Sequence, residues 1–261
     1  MPDDPALTLY CFAHAGAGVD CFHRWPALAG PGVQIVPLVL PGRGSRRPEA
    51  LVHDRDGLLG AFPELLRRRP QQGPFAFYGH SLGGLVAYTL ARVLADRRGP
   101  QPVFVGLGAI PSPDDPATLT GAADAPVDHL LEQLGGLGLL PGDAATAPGG
   151  VWHRMVLPVL RADLKLAGAL RAAAVDPATG GPLDVPLLVL GGTDDPVAPA
   201  GTLAGWSRWS TAAVLRRAVA GDHFFVRQRQ TPQIVGRACR VARRLAPSAP
   251  PPARTTVRNS R

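Results

Sequence analysis

The feature that most constrains this chain is the pentapeptide Gly79-His80-Ser81-Leu82-Gly83, which lies between a predicted strand and a predicted helix. Apolar residues fill positions 75–78 before it, and residues 84–91 after it are typical of a helix. A Gly-x-Ser-x-Gly segment in this context forms a sharp turn, the nucleophile elbow, whose small flanking residues let strand and helix approach closely. The serine is held at the tip of the turn, beside the first amides of the helix. We therefore predict that Ser81 is an enzymatic nucleophile; the alternative is a glycine-rich turn that only packs.

Strand and helix signals alternate along most of the chain. The apolar runs predict strands at 7–12, 33–40, 75–78, 103–110, 186–190 and 212–219, and helices at 54–69 and 232–245. This alternation indicates an α/β fold, in which helices flank a mostly parallel sheet. The length of 261 residues suits one domain with a large core. We therefore expect a single domain over residues 1–245.

Two segments depart from the alternation. Residues 111–182 are rich in Ala, Gly, Pro and Asp, with predicted helices at about 127–134 and 151–174. Insertions between sheet strands usually lie over the carboxyl edge of the sheet, where sites form. We therefore interpret this insertion as a helical lid, the alternative being a surface subdomain with no part in substrate access. The proline-rich tail, 246–261, is predicted to be disordered.

Charge, cysteine content and hydropathy narrow the possible partners and compartment. The chain has 27 basic and 20 acidic residues, a net charge of +7, which favours an acidic partner. A nucleic-acid role is disfavoured, since no recognition helix, zinc-finger spacing or aromatic-rich sheet pattern occurs.

The three cysteines match no metal site. No apolar stretch could span a bilayer, and the N-terminus lacks a signal pattern, so we expect a cytoplasmic protein without membrane contact.

Partners for the serine appear in the order that an α/β-hydrolase requires. A serine hydroxyl needs a base, usually a histidine oriented by a carboxylate, and in this arrangement the chain order is Ser, Asp, His. The predicted strand 186–190 leads into a turn containing Asp194 and Asp195, and the last predicted strand leads into His223. The Asp195-Pro196 context favours Asp195 over Asp194 as the carboxylate. We predict His223 as the base.

Two further histidines, His80 and His14, and the loop at 13–18 also bear on the predicted site. His80, inside the elbow, is interpreted as a packing residue that braces the turn, while His14 could approach the site but lacks a carboxylate signal. An oxyanion hole needs two donors, which we predict to be the backbone N–H groups of Ala15 and Leu82. A dinucleotide-binding loop at 13–18 is excluded because the third glycine and the later acidic residue are missing.

Five segments together resemble one family. They are Cys11-Phe12-Ala13-His14-Ala15-Gly16, Leu40-Pro41-Gly42-Arg43-Gly44, Gly79-His80-Ser81-Leu82-Gly83-Gly84, Gly192-Thr193-Asp194-Asp195-Pro196 and Gly221-Asp222-His223-Phe224-Phe225. From about residue 7 to residue 245 the chain resembles type II thioesterases, the stand-alone editing hydrolases of polyketide synthases and non-ribosomal peptide synthetases. Residues 157–163 are similar to a lid helix of these enzymes. The chain departs from the family at two places. Leu82 stands where methionine is frequent, and the first loop is Ala-His-Ala-Gly-Ala-Gly where Pro-x-Ala-Gly-Gly is commoner. Both departures bear on the shape of the pocket.

The resemblance implies hydrolysis of acyl groups from the phosphopantetheine arm of an acyl or peptidyl carrier protein. Such carriers are typically acidic, which suits the basic balance of this chain. No cofactor is implied, since phosphopantetheine belongs to the substrate. Three alternatives stay open: a chain-releasing or cyclising thioesterase, an esterase or lipase for free small molecules, and a non-catalytic binding module on a hydrolase scaffold.

Overall fold

A parallel six-stranded sheet forms the centre of the structure, a computed structural model that describes residues 6–63, 73–115, 119–140 and 147–245. The strand order is β2-β1-β3-β4-β5-β6, and every neighbouring pair is parallel. The strands are β1 (Leu7–Phe12), β2 (Val33–Leu38), β3 (Phe75–His80), β4 (Val105–Gly108), β5 (Leu187–Gly192) and β6 (Val214–Val219). The sheet confirms the predicted α/β fold class.

Helices cover both faces of this sheet. Within the described ranges they are α1 (Trp25–Leu28), α2 (Arg55–Ala61), α3 (Leu82–Asp96), α4 (Val127–Gly136), α5 (Val151–Met155), α6 (Leu157–Val175) and α7 (Gln230–Leu245). None of these helices combines the length and apolar character needed to cross a membrane.

The central strand β3 explains why two cores form. All six of its residues are buried, and successive side chains point to opposite faces of the sheet. Phe77 packs in the cluster that contains Leu85 of α3 and Leu166 of α6. Tyr78 packs in the cluster on the other face, with Trp25 of α1 and Val235 of α7. Because both faces are covered, the ends of β3 are held rigidly, and the turn that follows it has a fixed position.

Several element boundaries differ from the sequence-based expectations. The strand predicted at 33–40 ends at Leu38, and the strand predicted at 103–110 is confined to Val105–Gly108. The single helix predicted at 151–174 is two helices, α5 and α6, because Pro158 lacks an N–H and is favoured in a first helical turn. The helix predicted at 54–69 ends at Ala61, before Pro63, and its residues 64–69 lie outside the described residues. The predicted tail at 246–261 also lies outside them.

Helices α4, α5 and α6 come from the segment predicted to be a lid. Their apolar side chains form a small core of their own, which includes Leu130, Leu157 and Leu164. Helix α6 also packs against α3, the helix that follows Ser81. The segment therefore lies beside the elbow, at the carboxyl end of the sheet.

Candidate active site

The turn after β3 has the geometry of a nucleophile elbow. Ser81 has a φ of 53° and a ψ of −120°, a strained conformation for a residue with a side chain. A Cβ atom at Gly79 would lie 1.8 Å from the carbonyl oxygen of Gly83, and one at Gly83 would lie 2.1 Å from that of Phe12. The two glycines therefore allow the strand and the helix to approach closely, as the sequence predicts, and Gly83 also allows the end of β1 to lie against the helix.

The structure brings Ser81, His223 and Asp195 together from three separate strand ends. Nε2 of His223 lies 3.1 Å from Oγ of Ser81. Nδ1 of His223 lies 3.0 Å from each carboxylate oxygen of Asp195. Because a carboxylate only accepts hydrogen bonds, Nδ1 carries the proton and Nε2 is free to accept one from the serine. The arrangement can therefore take a proton from Ser81 and stabilise the imidazolium that results.

The adjacent carboxylates Asp194 and Asp195 have different surroundings. Asp195 is 4% exposed, and its Oδ1 accepts hydrogen bonds from the backbone amides of Val197 at 2.9 Å and Ala198 at 3.1 Å. Asp194 is exposed, and its carboxylate accepts a hydrogen bond from Thr193 Oγ1. Only Asp195 of the two is fixed against the histidine.

The predicted oxyanion donors both border the space in front of Ser81. Leu82 is the first residue of α3, so its N–H has no partner within the helix. Ala15 lies in the loop after β1, and its N–H makes no hydrogen bond to another residue of the described chain. Both residues line the same cavity as Ser81 and His223. Two unused amides at this position could stabilise a developing oxyanion.

A buried ion pair next to this loop was not assigned any role from the sequence. Asp163 of α6 is 0% exposed and binds Arg43 through two hydrogen bonds of 2.6 Å, and it also accepts a 2.7 Å hydrogen bond from the backbone N–H of Gly16. Helix α6 is thus connected to the residue that follows Ala15. Arg43 and Asp163 both lie in segments that resemble the family. The contact between them could not be predicted, because they are 120 positions apart in the chain and no local sequence pattern indicates it.

His80 and His14 lie close to the three residues without joining them. Nε2 of His80 lies 2.6 Å from the backbone oxygen of His223, and its Nδ1 lies 3.2 Å from the Tyr78 hydroxyl. Burial lowers the pKa of His80 well below its usual range and lowers the pKa of His14 to about 4. His80 is therefore a neutral, buried ring that contacts the backbone of His223, in line with its interpretation as a packing residue.

A cavity of about 560 Å³ opens in front of Ser81. Much of its wall is apolar and comes from α3, from the loop after β4 and from the α4–α6 segment; Leu85, Ile110, Leu134, Trp152, Leu160 and Leu164 are examples. A cavity of this character accommodates an apolar chain.

The three cysteines are free and buried. Burial raises the pKa of the Cys11 thiol well above its usual range and raises the pKa values of Cys21 and Cys239 to about 12. Thiolates are therefore disfavoured at all three positions. No group of side chains in the described ranges is arranged to hold a metal ion.

Comparison with known proteins identifies the family. The thioesterase domain family matches residues 7–240. Thioesterase PikA5 of Streptomyces venezuelae is 30% identical over 225 residues, which cover 85% of this chain and 76% of that protein. Among solved structures, RedJ, the thioesterase of the prodiginine pathway in Streptomyces coelicolor, is 31% identical with a TM-score of 0.76, covering 91% of this chain and 92% of that one.

A further similar solved structure is also a thioesterase. The type II thioesterase BorB of the borrelidin biosynthetic cluster is 26% identical with a TM-score of 0.72, covering 92% of this chain and 93% of that one. The match to the family extends over nearly all of the described chain, including the elbow, the carboxylate turn and the histidine loop. The chain therefore belongs to the thioesterase family, and it is a serine hydrolase that acts on thioesters.

Proposed function

We propose that Ser81 is the nucleophile, His223 the general base and Asp195 the carboxylate that orients it, with the backbone N–H groups of Ala15 and Leu82 as the oxyanion hole. The observation that carries this assignment is the continuous contact from Ser81 through His223 to Asp195, with distances of 3.1 and 3.0 Å. The unused amides beside it supply the second requirement of acyl transfer, which is stabilisation of negative charge on the carbonyl oxygen.

The reaction proceeds in two steps. His223 takes the proton of Ser81 while Oγ attacks the thioester carbonyl, and the tetrahedral oxyanion is held by the two amides. The C–S bond breaks, the leaving sulfur takes the proton from His223 and departs as a thiol, and Ser81 carries the acyl group as an ester. His223, neutral again, deprotonates a water molecule as it attacks this ester, and collapse of the second tetrahedral intermediate releases the carboxylic acid while His223 returns the proton to Ser81 Oγ. The mechanism requires no metal or redox cofactor.

We infer that the thioester is an acyl group on the phosphopantetheine arm of a carrier protein in polyketide or non-ribosomal peptide biosynthesis. The named relatives support this, since RedJ belongs to the prodiginine pathway and BorB to the borrelidin cluster. The apolar cavity suits an acyl chain, and the net charge of +7 suits an acidic carrier. The cytoplasm is the compartment that fits this function, because the synthases and their carriers work there.

Ser81→Ala tests the mechanism. We expect kcat for an acyl-carrier thioester to fall at least about 10³-fold, because the acyl-enzyme can no longer form. Hydrolysis is followed by mass spectrometry of the carrier, which also distinguishes a released acid from a lactone. Carrier binding and the circular dichroism spectrum should match those of the unchanged protein.

Two results would contradict the proposal. Undiminished hydrolysis by Ser81→Ala would exclude Ser81 as the nucleophile. Acyl-carrier substrates that react no faster than nitrophenyl esters of the same acids would favour an esterase for small molecules.

A further inference from the structure

A charged residue, Arg171, is buried in the wall of the cavity that begins at Ser81. It is 7% exposed and lines the cavity together with Leu160, Leu164 and Ala167. These four residues follow one another at intervals of three or four positions, so they share one face of α6. The helix face that forms the apolar wall therefore ends in a guanidinium group.

Arg171 lies at the other end of this helix face from the Ala15 loop, which holds one of the proposed oxyanion donors. Leu160 is beside the loop of Ala15, since a Cβ atom at Gly16 would lie 3.6 Å from Leu160. Three helical turns separate Leu160 from Arg171, a distance of about 16 Å along the axis of α6. A group bound by Arg171 would therefore belong to a part of the acyl chain remote from the thioester.

The hydrogen bonds of Arg171 leave part of its guanidinium unused. Nη2 donates to the backbone oxygens of Ser112, at 2.9 Å, and Asp115. Nη1 is buried and has no hydrogen-bond partner in the described part of the chain. No described carboxylate forms an ion pair with Arg171, and the nearby Asp114 carboxylate binds Arg208 and the indole of Trp209 instead.

Such an environment is unfavourable for a cation when the cavity is empty. Burial lowers the pKa of Arg171 against the opposing effect of the nearby Asp115 and Asp114 carboxylates, and buried arginines are normally paired with an anion or fully hydrogen-bonded. A ligand oxygen would satisfy the unused donor, whereas a hydrocarbon chain in the same place would leave it unsatisfied.

We propose that Arg171 is a specificity-determining residue that binds an oxygen acceptor on the distal part of the acyl chain. The substrate class is thus acyl thioesters that carry a keto, hydroxyl or carboxylate oxygen remote from the thioester, rather than fully saturated chains. This inference rests on the proposed thioester hydrolysis at Ser81. It follows the rule that a site built to hydrogen-bond a substrate group discriminates against the analogue that lacks it.

Matched acyl thioesters, carried on the phosphopantetheine arm of one carrier protein, test the inference on the intact protein. At each of several chain lengths, one thioester has a fully saturated acyl chain. Its partner has the same chain with a ketone at the carbon before the terminal methyl group. We expect kcat/KM to favour the ketone by at least about tenfold at the length that reaches Arg171. Arg171→Met should abolish this preference, mainly by slowing the ketone substrate.

Arg161→Met is the matched control. Arg161 is also on α6 and donates to two backbone oxygens, those of Ala123 at 2.8 Å and Ala125 at 2.6 Å, but it does not line the cavity. Its removal should leave the preference for the ketone unchanged. An equal change in both variants would assign Arg171 a purely structural role and overturn the inference.

The remaining outcomes separate this inference from the function on which it rests. If both thioesters are hydrolysed at equal rates at every length, the role of Arg171 is wrong and the proposed function stands. If neither is hydrolysed at any length, the proposed function fails, and the inference fails with it.

Discussion

At the scale of single residues, the site depends on which of two adjacent carboxylates faces His223, the proposed base. Asp195 is buried and receives two backbone N–H groups, so its carboxylate is held in one orientation before any substrate binds. Asp194 is exposed, and within the described part of the chain its carboxylate has the Thr193 hydroxyl as its one side-chain partner. The two residues have the same chemistry and differ only in burial and in the hydrogen bonds they accept.

Replacement of each carboxylate by its amide measures this difference. We expect Asp195→Asn to lower kcat by about 10³–10⁴-fold, because an amide facing Nδ1 favours the wrong tautomer of His223. Asp194→Asn, the matched control, should leave kcat nearly unchanged. The two variants are compared by steady-state kinetics on one acyl thioester. A greater loss of kcat in Asp194→Asn than in Asp195→Asn would assign the role of the orienting carboxylate to Asp194.

At the scale of elements, helix α6 contributes both to the cavity and to the loop that carries Ala15. Its apolar face lines the cavity, while Asp163 on the same helix binds Arg43 and the backbone N–H of Gly16. Because this amide is next to Ala15 in the chain, the position of the helix restrains the position of the proposed oxyanion donor. Asp163 is therefore a positioning residue in our interpretation, since it acts through the loop.

Asp163→Asn should weaken both the fold and the reaction. It leaves Arg43 buried without its anion, which costs about 3–5 kcal/mol of unfolding free energy, and it loosens the Ala15 loop. We expect kcat to fall at least about tenfold, with a smaller change in KM. Unfolding by urea and kinetics on the folded fraction measure the two effects separately.

Asp124→Asn is the control for this prediction. The ion pair between Asp124 and Lys165 also connects α6 to the preceding segment, but its side chains are 80% and 46% exposed. Its loss should change stability by less than about 1 kcal/mol and leave kcat unaltered. If Asp163→Asn keeps full kcat in its folded fraction, the ion pair has no influence on the oxyanion loop.

At the scale of the whole molecule, two buried histidines make stability depend on pH. The pKa of His14 is lowered to about 4 and that of His80 lies well below its usual range, in both cases chiefly through burial. An unfolded chain binds protons at these positions near pH 6.5, whereas the folded protein does not. Folding is therefore favoured above pH 6.5, and stability is lost as the pH falls from there towards 4.

His14→Gln isolates one part of this dependence. The glutamine stays neutral, so the loss of unfolding free energy between pH 7.5 and pH 5 should be smaller by roughly 2 kcal/mol. Urea denaturation at the two pH values gives the difference. His129→Gln changes an exposed histidine and should leave the loss of unfolding free energy between the two pH values unchanged. If both variants reduced this loss equally, the pH dependence would not come from the burial of His14.

The sequence predicts the frame of the molecule better than its long-range contacts. The alternation of apolar runs with helical patterns suffices to predict the parallel sheet, because strands and helices place their apolar residues at different spacings. The places of Ser81, Asp195 and His223 follow from the ends of three of these strands. The break at Val156 and the contact of Asp163 with Gly16 were not foreseen. The first depends on one proline in an otherwise helical run, and the second joins residues 147 positions apart, which no periodicity encodes.

The contact between Asp163 and Gly16 also has a consequence for fidelity. An acyl group that displaced α6 would, through Asp163, shift the loop that holds the Ala15 amide. A misfitting substrate would then be bound yet poorly aligned for attack. We expect this enzyme to reject unsuitable acyl groups by reacting with them slowly, so that discrimination appears in kcat more than in affinity.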